Sequence, residues 1–173
     1  MERLSEFWRR WGARWLPAIL WMAVIFFLSA RTKAEMPHYP NDFVDWPVKK
    51  MGHMIEYGIL TLLVWRATSG TIGLQAGRWH AWIIAAICTL YAALDEYHQS
   101  FVAGRGSSAA DVAIDALGMA LTMVGTSALL GFRTRRPESF SRLGWLNRFL
   151  DGLLPIRPVA QDDLPEGPFL VDR

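Results

Sequence analysis

Cysteine is all but missing from this chain: Cys88 is the only one among 173 residues, so no internal disulfide can form. Cys88 lies inside an apolar run, where its expected role is that of a small buried or lipid-facing residue. No two histidines share a metal-ligand spacing, which argues against a metal site. No nucleophile stands at a readable spacing from a base, and no segment repeats at a solenoid period. The arginines sit beside apolar runs rather than on a soluble basic face, which speaks against nucleic acid as a partner. What the chain has instead is apolar mass: 52% hydrophobic residues, nine tryptophans and a mean hydropathy of +0.16. The charges are banded between runs that hold almost none.

The first fourteen residues carry Leu4, Phe7, Trp8 and Trp11 at helical spacing among Arg3, Arg9, Arg10 and Arg14, the pattern of an interfacial helix. Residues 15–29 predict a first membrane helix, somewhat short against the ~20 residues a bilayer requires but preceded by tryptophans suited to the headgroup zone. A cleaved signal peptide is the lesser reading, because the basic region is long and Trp-rich and Ser29-Ala30 leads into Arg31 and Lys33. Residues 30–48, with Pro37, Pro40 and Pro47, predict a loop. Further runs over about 51–68, 79–97 and 109–132 predict three more spans, the first of them weakened by His53 and Glu56. Gly70, Gly73 and Gly77 mark a short loop between two of these runs.

After residue 132, Phe140, Leu143, Leu146, Phe149, Leu150, Leu153 and Leu154 form an apolar stripe, so 139–154 predicts a second amphipathic helix at the membrane surface, or one that docks a partner. Beyond Pro155 the composition is that of a disordered tail. The expected fold is therefore all-α: a four-helix transmembrane bundle (15–132) between an N-terminal interfacial segment (1–14) and a tail (133–173) carrying the second interfacial helix. With both termini cytoplasmic, segments 1–14, 66–78 and 133–173 hold 13 of the 18 Lys and Arg, as the positive-inside rule prefers.

In that topology the unusual polar residues fall on one membrane face. The second span begins there with Lys49, Lys50, His53, Glu56 and Tyr57, the third ends there with Asp95, Glu96, His98 and Gln99, and the fourth begins there with Asp111 and Asp115. Arg105 lies between the last two. Spacings of three and four put Lys50, His53 and Tyr57 on one stripe and Lys49, His53 and Glu56 on another. Asp115 lies ~6 Å along the helix from Asp111 at ~1.5 Å per residue, which predicts a polar funnel. Ionisable groups in such places are expensive and by default suggest function. Plainer readings stand beside this one. Ser108 with Asp111 resembles a capping box, Gly104 and Gly106 suit a tight turn, and Arg105 would satisfy a buried carboxylate among Asp95, Glu96, Asp111 and Asp115.

The segments KKMGHMIEYGIL and LDEYHQSFVAGRGSSAADVAIDALG resemble the VanZ-like family of small bacterial membrane proteins over roughly residues 15–130. The motif positions that carry over are Lys49, His53, Tyr57, Asp95, Glu96, Gln99, Arg105, Asp111 and Gly118. Two departures are Ala103, where a proline is usual, and Thr122, where a second glycine often follows Gly118. The resemblance implies a multi-pass protein of the bacterial cytoplasmic membrane, whose named relative confers low-level teicoplanin resistance. Whether a cofactor takes part is not legible in the sequence.

Two classes of function follow. In one, the protein binds an anionic membrane lipid or lipid-linked envelope precursor at the outer leaflet, with Lys49, Lys50 and Arg105 on the phosphate and Gln99 and Tyr57 orienting it. In the other it is an enzyme acting on such a lipid, with His53 or Glu56 as base and Asp95 or Glu96 as acid. A transporter finds little support in four helices without repeat symmetry. Oligomeric state is not legible, and a purely structural polar cluster is the remaining alternative.

Overall fold

The computed structural model describes residues 2–35, 41–71, 78–106, 108–136 and 144–153, and all regular structure among them is helical. Four long helices, α1 (Glu2–Ser29), α2 (Asp42–Thr71), α3 (Arg78–Gln99) and α4 (Ala109–Arg135), are followed by a short α5 (Gly144–Leu153). A 3₁₀ turn at Lys33–Glu35 lies between α1 and α2. Pro37, Pro40, Gly73, Gly77, Ser107, the stripe residues Phe140, Leu143 and Leu154, and the tail after Pro155 lie outside the described residues. So do the side chains of Leu4, Phe7, Trp8, Phe149 and Leu153.

Three boundaries differ from expectation. Residues 2–14 continue without a break into the first apolar run, with Pro17 inside the helix. The expected loop over 30–48 ends early, because α2 begins at Asp42 and carries Pro47 within it. Asn41 starts that helix: its Oδ1 accepts from the Phe43 amide at 2.9 Å, and its carbonyl accepts from Val44 and Asp45. A proline inside a helix forfeits one backbone bond to the fourth residue before it. Here that residue is Phe43, 90% exposed on the first turns of the helix, where the freed carbonyl is not trapped in the core. α2 also runs through Gly70 to Thr71, so the glycine loop starts later than the sequence suggests.

α2 is the hub, packing on α1, α3 and α4 and most extensively on α4, while among the described residues α1 and α4 do not meet. The contacts fix the directions. Trp21 donates to the Glu56 carbonyl and Arg66 to the Arg14 carbonyl, so α1 and α2 are antiparallel. Tyr91 donates to the Met22 carbonyl and Ser29 to Asp95, so α1 and α3 run together. Ala18, Ile25, Tyr57, Leu60, Val64, Ile84, Cys88 and Ala92 form the core. Thr61 and Thr68 are accommodated there by turning their hydroxyls onto the Tyr57 and Val64 carbonyls of their own helix.

α2 and α4 approach closely enough to require glycine. A Cβ on Gly118 would lie 2.5 Å from the Met54 carbonyl oxygen. One turn on, Thr122 occupies the place where a second glycine was expected, and the space it needs comes from the facing helix, where Gly58 lies under Thr122 Oγ1. The departure at Thr122 is therefore matched by a small residue across the interface.

Two helices, over Trp11–Ser29 and Ala109–Arg135, are long and apolar enough to cross a membrane. α5 does not stand away from the bundle. Leu150 is 3% exposed and belongs to the core, Arg66 donates to the Gly152 carbonyl, and Arg133 pairs with Asp151 at 2.8 Å.

Candidate functional site

The polar residues of both motifs gather at the end of the bundle where α1 and α3 finish and α2 and α4 begin. They form two groups. The first joins α1 to α3. Ser29, the last residue of α1, donates its hydroxyl to Asp95 Oδ2 at 2.8 Å, and Gln99 donates to the same oxygen and to Ser29 Oγ. Arg105 donates to the Ser29 main-chain carbonyl at 2.8 Å. A guanidinium at a helix C-terminus answers both the unpaired carbonyl and the negative end of the helix dipole. None of the carboxylates considered for Arg105 is its ion-pair partner, because this carbonyl lies nearer to it.

Arg105 is brought there by a tight turn in which its amide donates to the Val102 carbonyl at 3.1 Å. Gly104 has φ 76°, the positive value a type II turn requires at its third residue. Ala103 is the second residue of that turn, the position where proline is preferred. Alanine in place of the usual proline therefore leaves the turn closed.

The second group joins α2 to α4. Lys50 forms an ion pair with Asp111. One turn deeper, His53 Nδ1 stands 3.3 Å from Asp115 Oδ1. That contact is long for a hydrogen bond, and among the described residues no other group fills His53 Nδ1 or the two Asp115 oxygens. Lys49 turns the other way, to Asp45 of its own helix at 2.6 Å. Glu96 reaches from α3 to the start of α4, where its Oε2 accepts from the Ser108 amide at 2.9 Å, while Ser108 Oγ caps Ala110. In a capping box the acidic residue three places after the cap would take that amide. Here Glu96 does so from another helix, which leaves Asp111 to Lys50.

Between the two groups lies Tyr57, fully buried, with Asp95, Asp115, Glu56 and Tyr91 as electrostatic neighbours. Its hydroxyl has no hydrogen-bond partner among the described residues, and neither do Asp95 Oδ1 and Glu96 Oε1. Glu56 neighbours His53, Asp95, Asp115 and Arg105. His98 is directed elsewhere, its ring 4.2 Å from that of Phe26. An open groove at this end is lined by Phe27, Ala30, Arg31 and Glu35, none of them from the polar motifs. There the Thr32 amide and hydroxyl hold the Glu35 carboxyl below its ordinary range. Among the described residues no three His, Cys, Asp or Glu are grouped to hold a metal ion.

Of the candidates read from sequence, His53, Glu56, Tyr57, Asp95, Glu96, Asp111 and Asp115 come together with Lys50, while Lys49, Gln99 and Arg105 are occupied at its edge. Ser29 and Asn41 were missed. Ser29 ends an apolar run, and nothing in its neighbourhood signals that a carboxylate 66 residues away will accept its proton.

Residues 14–130 match the family described as VanZ/LLP1. No curated protein and no solved structure matches the chain. The matched stretch covers well over half of the sequence and includes Ser29, Arg105 and every α2, α3 and α4 residue of the polar cluster. The chain belongs to the VanZ/LLP1 family and is a membrane protein of that type.

Proposed function

We propose that this is a four-span protein of the bacterial cytoplasmic membrane that binds the phosphate-bearing headgroup of a lipid, or of a lipid-linked envelope precursor, at the outer face, and through it influences glycopeptide susceptibility. α2 and α3 fall short of span hydropathy because they carry the polar motif residues, and Tyr57, Asp95, Glu96 and Gln99 are all turned inward. Their outward surfaces remain apolar, with Met51, Ile55, Trp82, Leu90 and Leu94 each more than half exposed. Such a surface suits lipid. Of the 13 Lys and Arg in segments 1–14, 66–78 and 133–173, Arg14, Arg66 and Arg133 lie at the opposite end of the bundle, and the positive-inside rule supports a site outside with both termini in the cytoplasm.

The observation that carries the binding reading is the unfilled polar capacity: among the described residues Tyr57 Oη, Asp95 Oδ1, Glu96 Oε1 and Asp115 Oδ2 are buried without a hydrogen-bond partner, and His53 Nδ1 and Asp115 Oδ1 have only each other. A cluster serving only assembly closes its hydrogen bonds, since each orphaned buried group costs about 1–3 kcal/mol. Two of the four acid–base candidates, Asp95 and Glu96, already hold Ser29 and the Ser108 amide, which favours binding over catalysis. Lys49 and Lys50, 30% and 20% exposed, are the cations able to turn to an incoming phosphate.

The test is mass spectrometry of lipids retained by detergent-solubilised protein, wild type against Lys49→Gln/Lys50→Gln. The expected result is loss of a phosphate-bearing lipid from the double variant at an unchanged melting temperature. Equal retention in both proteins would overturn the proposal.

A further inference from the structure

The inner layer of the site has more acceptors than donors. Asp115 is 1% exposed and Asp95 3%, three of their four carboxylate oxygens lack a hydrogen bond, and Glu56 stands beside them. Within this layer His53 and the Tyr57 hydroxyl keep a proton to give, while Arg105, at its edge, donates to the Ser29 carbonyl. A buried group of this composition is satisfied by a ligand that only donates, and a primary ammonium, with three N–H donors and no acceptor, is such a ligand. The cation lies one turn further out: Lys50, paired to Asp111, precedes His53, paired to Asp115, an axial step of ~4.5 Å on α2 and ~6 Å on α4 at ~1.5 Å per residue.

We propose that the site takes a phosphoethanolamine-type zwitterion, its phosphate at Lys50 and its primary ammonium among Asp115, Asp95 and the Tyr57 hydroxyl. This rests on the headgroup reading above and adds the second charge. The same chemistry is carried by phosphatidylethanolamine and by water-soluble phosphoethanolamine. Phosphatidylglycerol has the phosphate without the amine, and phosphatidylcholine has a quaternary nitrogen with no N–H to donate. Tyr57 is the informative residue. Its hydroxyl has no partner among the described residues, so removing it should not harm the fold, and only a ligand would register the loss.

The experiment is native mass spectrometry of the full chain in detergent, titrated with each lipid and then challenged with soluble phosphoethanolamine. Phosphatidylethanolamine is expected to bind on the order of tenfold more tightly than phosphatidylglycerol or phosphatidylcholine, the scale set by one charge-assisted hydrogen bond. Tyr57→Phe and Asp115→Asn should each erase that preference, so that phosphatidylethanolamine binds no more tightly than phosphatidylglycerol. Tyr57→Phe should also keep the wild-type melting temperature, so the result stands even if Asp115→Asn proves unstable. Displacement by soluble phosphoethanolamine would assign entry from water, and resistance to it alongside the lipid preference would assign the membrane lipid as source. Equal binding of the three lipids, still lost in Lys50→Gln, would overturn the ammonium site and leave the phosphate reading intact. Binding indifferent to Lys50 would remove both.

Discussion

Replacing Gly118 by alanine should force apart the two helices that carry the site. The new Cβ would lie 2.5 Å from the Met54 carbonyl oxygen and 2.8 Å from its Cα, whereas ordinary contact begins at 3.4 Å, so α2 and α4 must separate by the missing 0.9 Å or distort. Overpacking of this kind costs about 1–3 kcal/mol. Both obstructing atoms are backbone and cannot rotate away, which puts the expected loss near the top of that range. For a chain of this length the loss corresponds to a fall in melting temperature of about 6–12 °C. The same displacement lengthens the His53–Asp115 and Lys50–Asp111 contacts, so headgroup retention should weaken together with stability. Gly58→Ala is the matched control. Its Cβ would meet only the side-chain oxygen of Thr122, at 2.8 Å, so the loss should be smaller and Thr122→Ala should recover it. Thermal unfolding in detergent measures all four proteins. A Gly118→Ala protein that melts with wild type would refute the close-approach reasoning, as would a Gly58→Ala defect equal in size and indifferent to Thr122→Ala.

Ala103→Pro should raise stability by about 0.4–1 kcal/mol, because proline at the second position of this turn restricts the unfolded chain without removing a bond the fold uses. A lower melting temperature would show that the turn is not of that type. Cysteine at position 103, exposed beside Gly104, should react in intact spheroplasts with an impermeant thiol reagent, and cysteine at position 148 on α5 should not. Cys88, fully buried, provides a silent background, and the opposite labelling pattern would invert the proposed orientation.

The long helices and the end at which the polar residues meet were legible because each rests on a local signal: an apolar run, or a three–four spacing on one helix. The register of α2 against α4 was half legible. His53 and Asp115 sit one turn inside Lys50 and Asp111, so once the helices are paired in parallel the two ion pairs follow together. The partner of Arg105 was not legible. Several carboxylates lay near it in sequence, yet the nearest acceptor proved to be the main-chain carbonyl at the end of α1, a group every residue has. Glu96 misled for a related reason. Its target is an amide left bare by the start of α4, and that opportunity exists only after the turn has brought α3 and α4 side by side. The start of α2 was hidden by Pro47, which reads as a helix breaker until Asn41 is seen to open the helix before it.

Arg66 bears on how the molecule is made. Its guanidinium is shared between the Arg14 carbonyl of α1 and the Gly152 carbonyl of α5, so one side chain near the end of α2 touches both the first and the last helix described. During synthesis the first of these acceptors emerges before Arg66 and the second some 86 residues after it. α5 therefore reaches an anchor already set by the pairing of α1 with α2, and its Leu150 closes the core last. Docking of α5 thus depends on an anchor that the helices before it have already built.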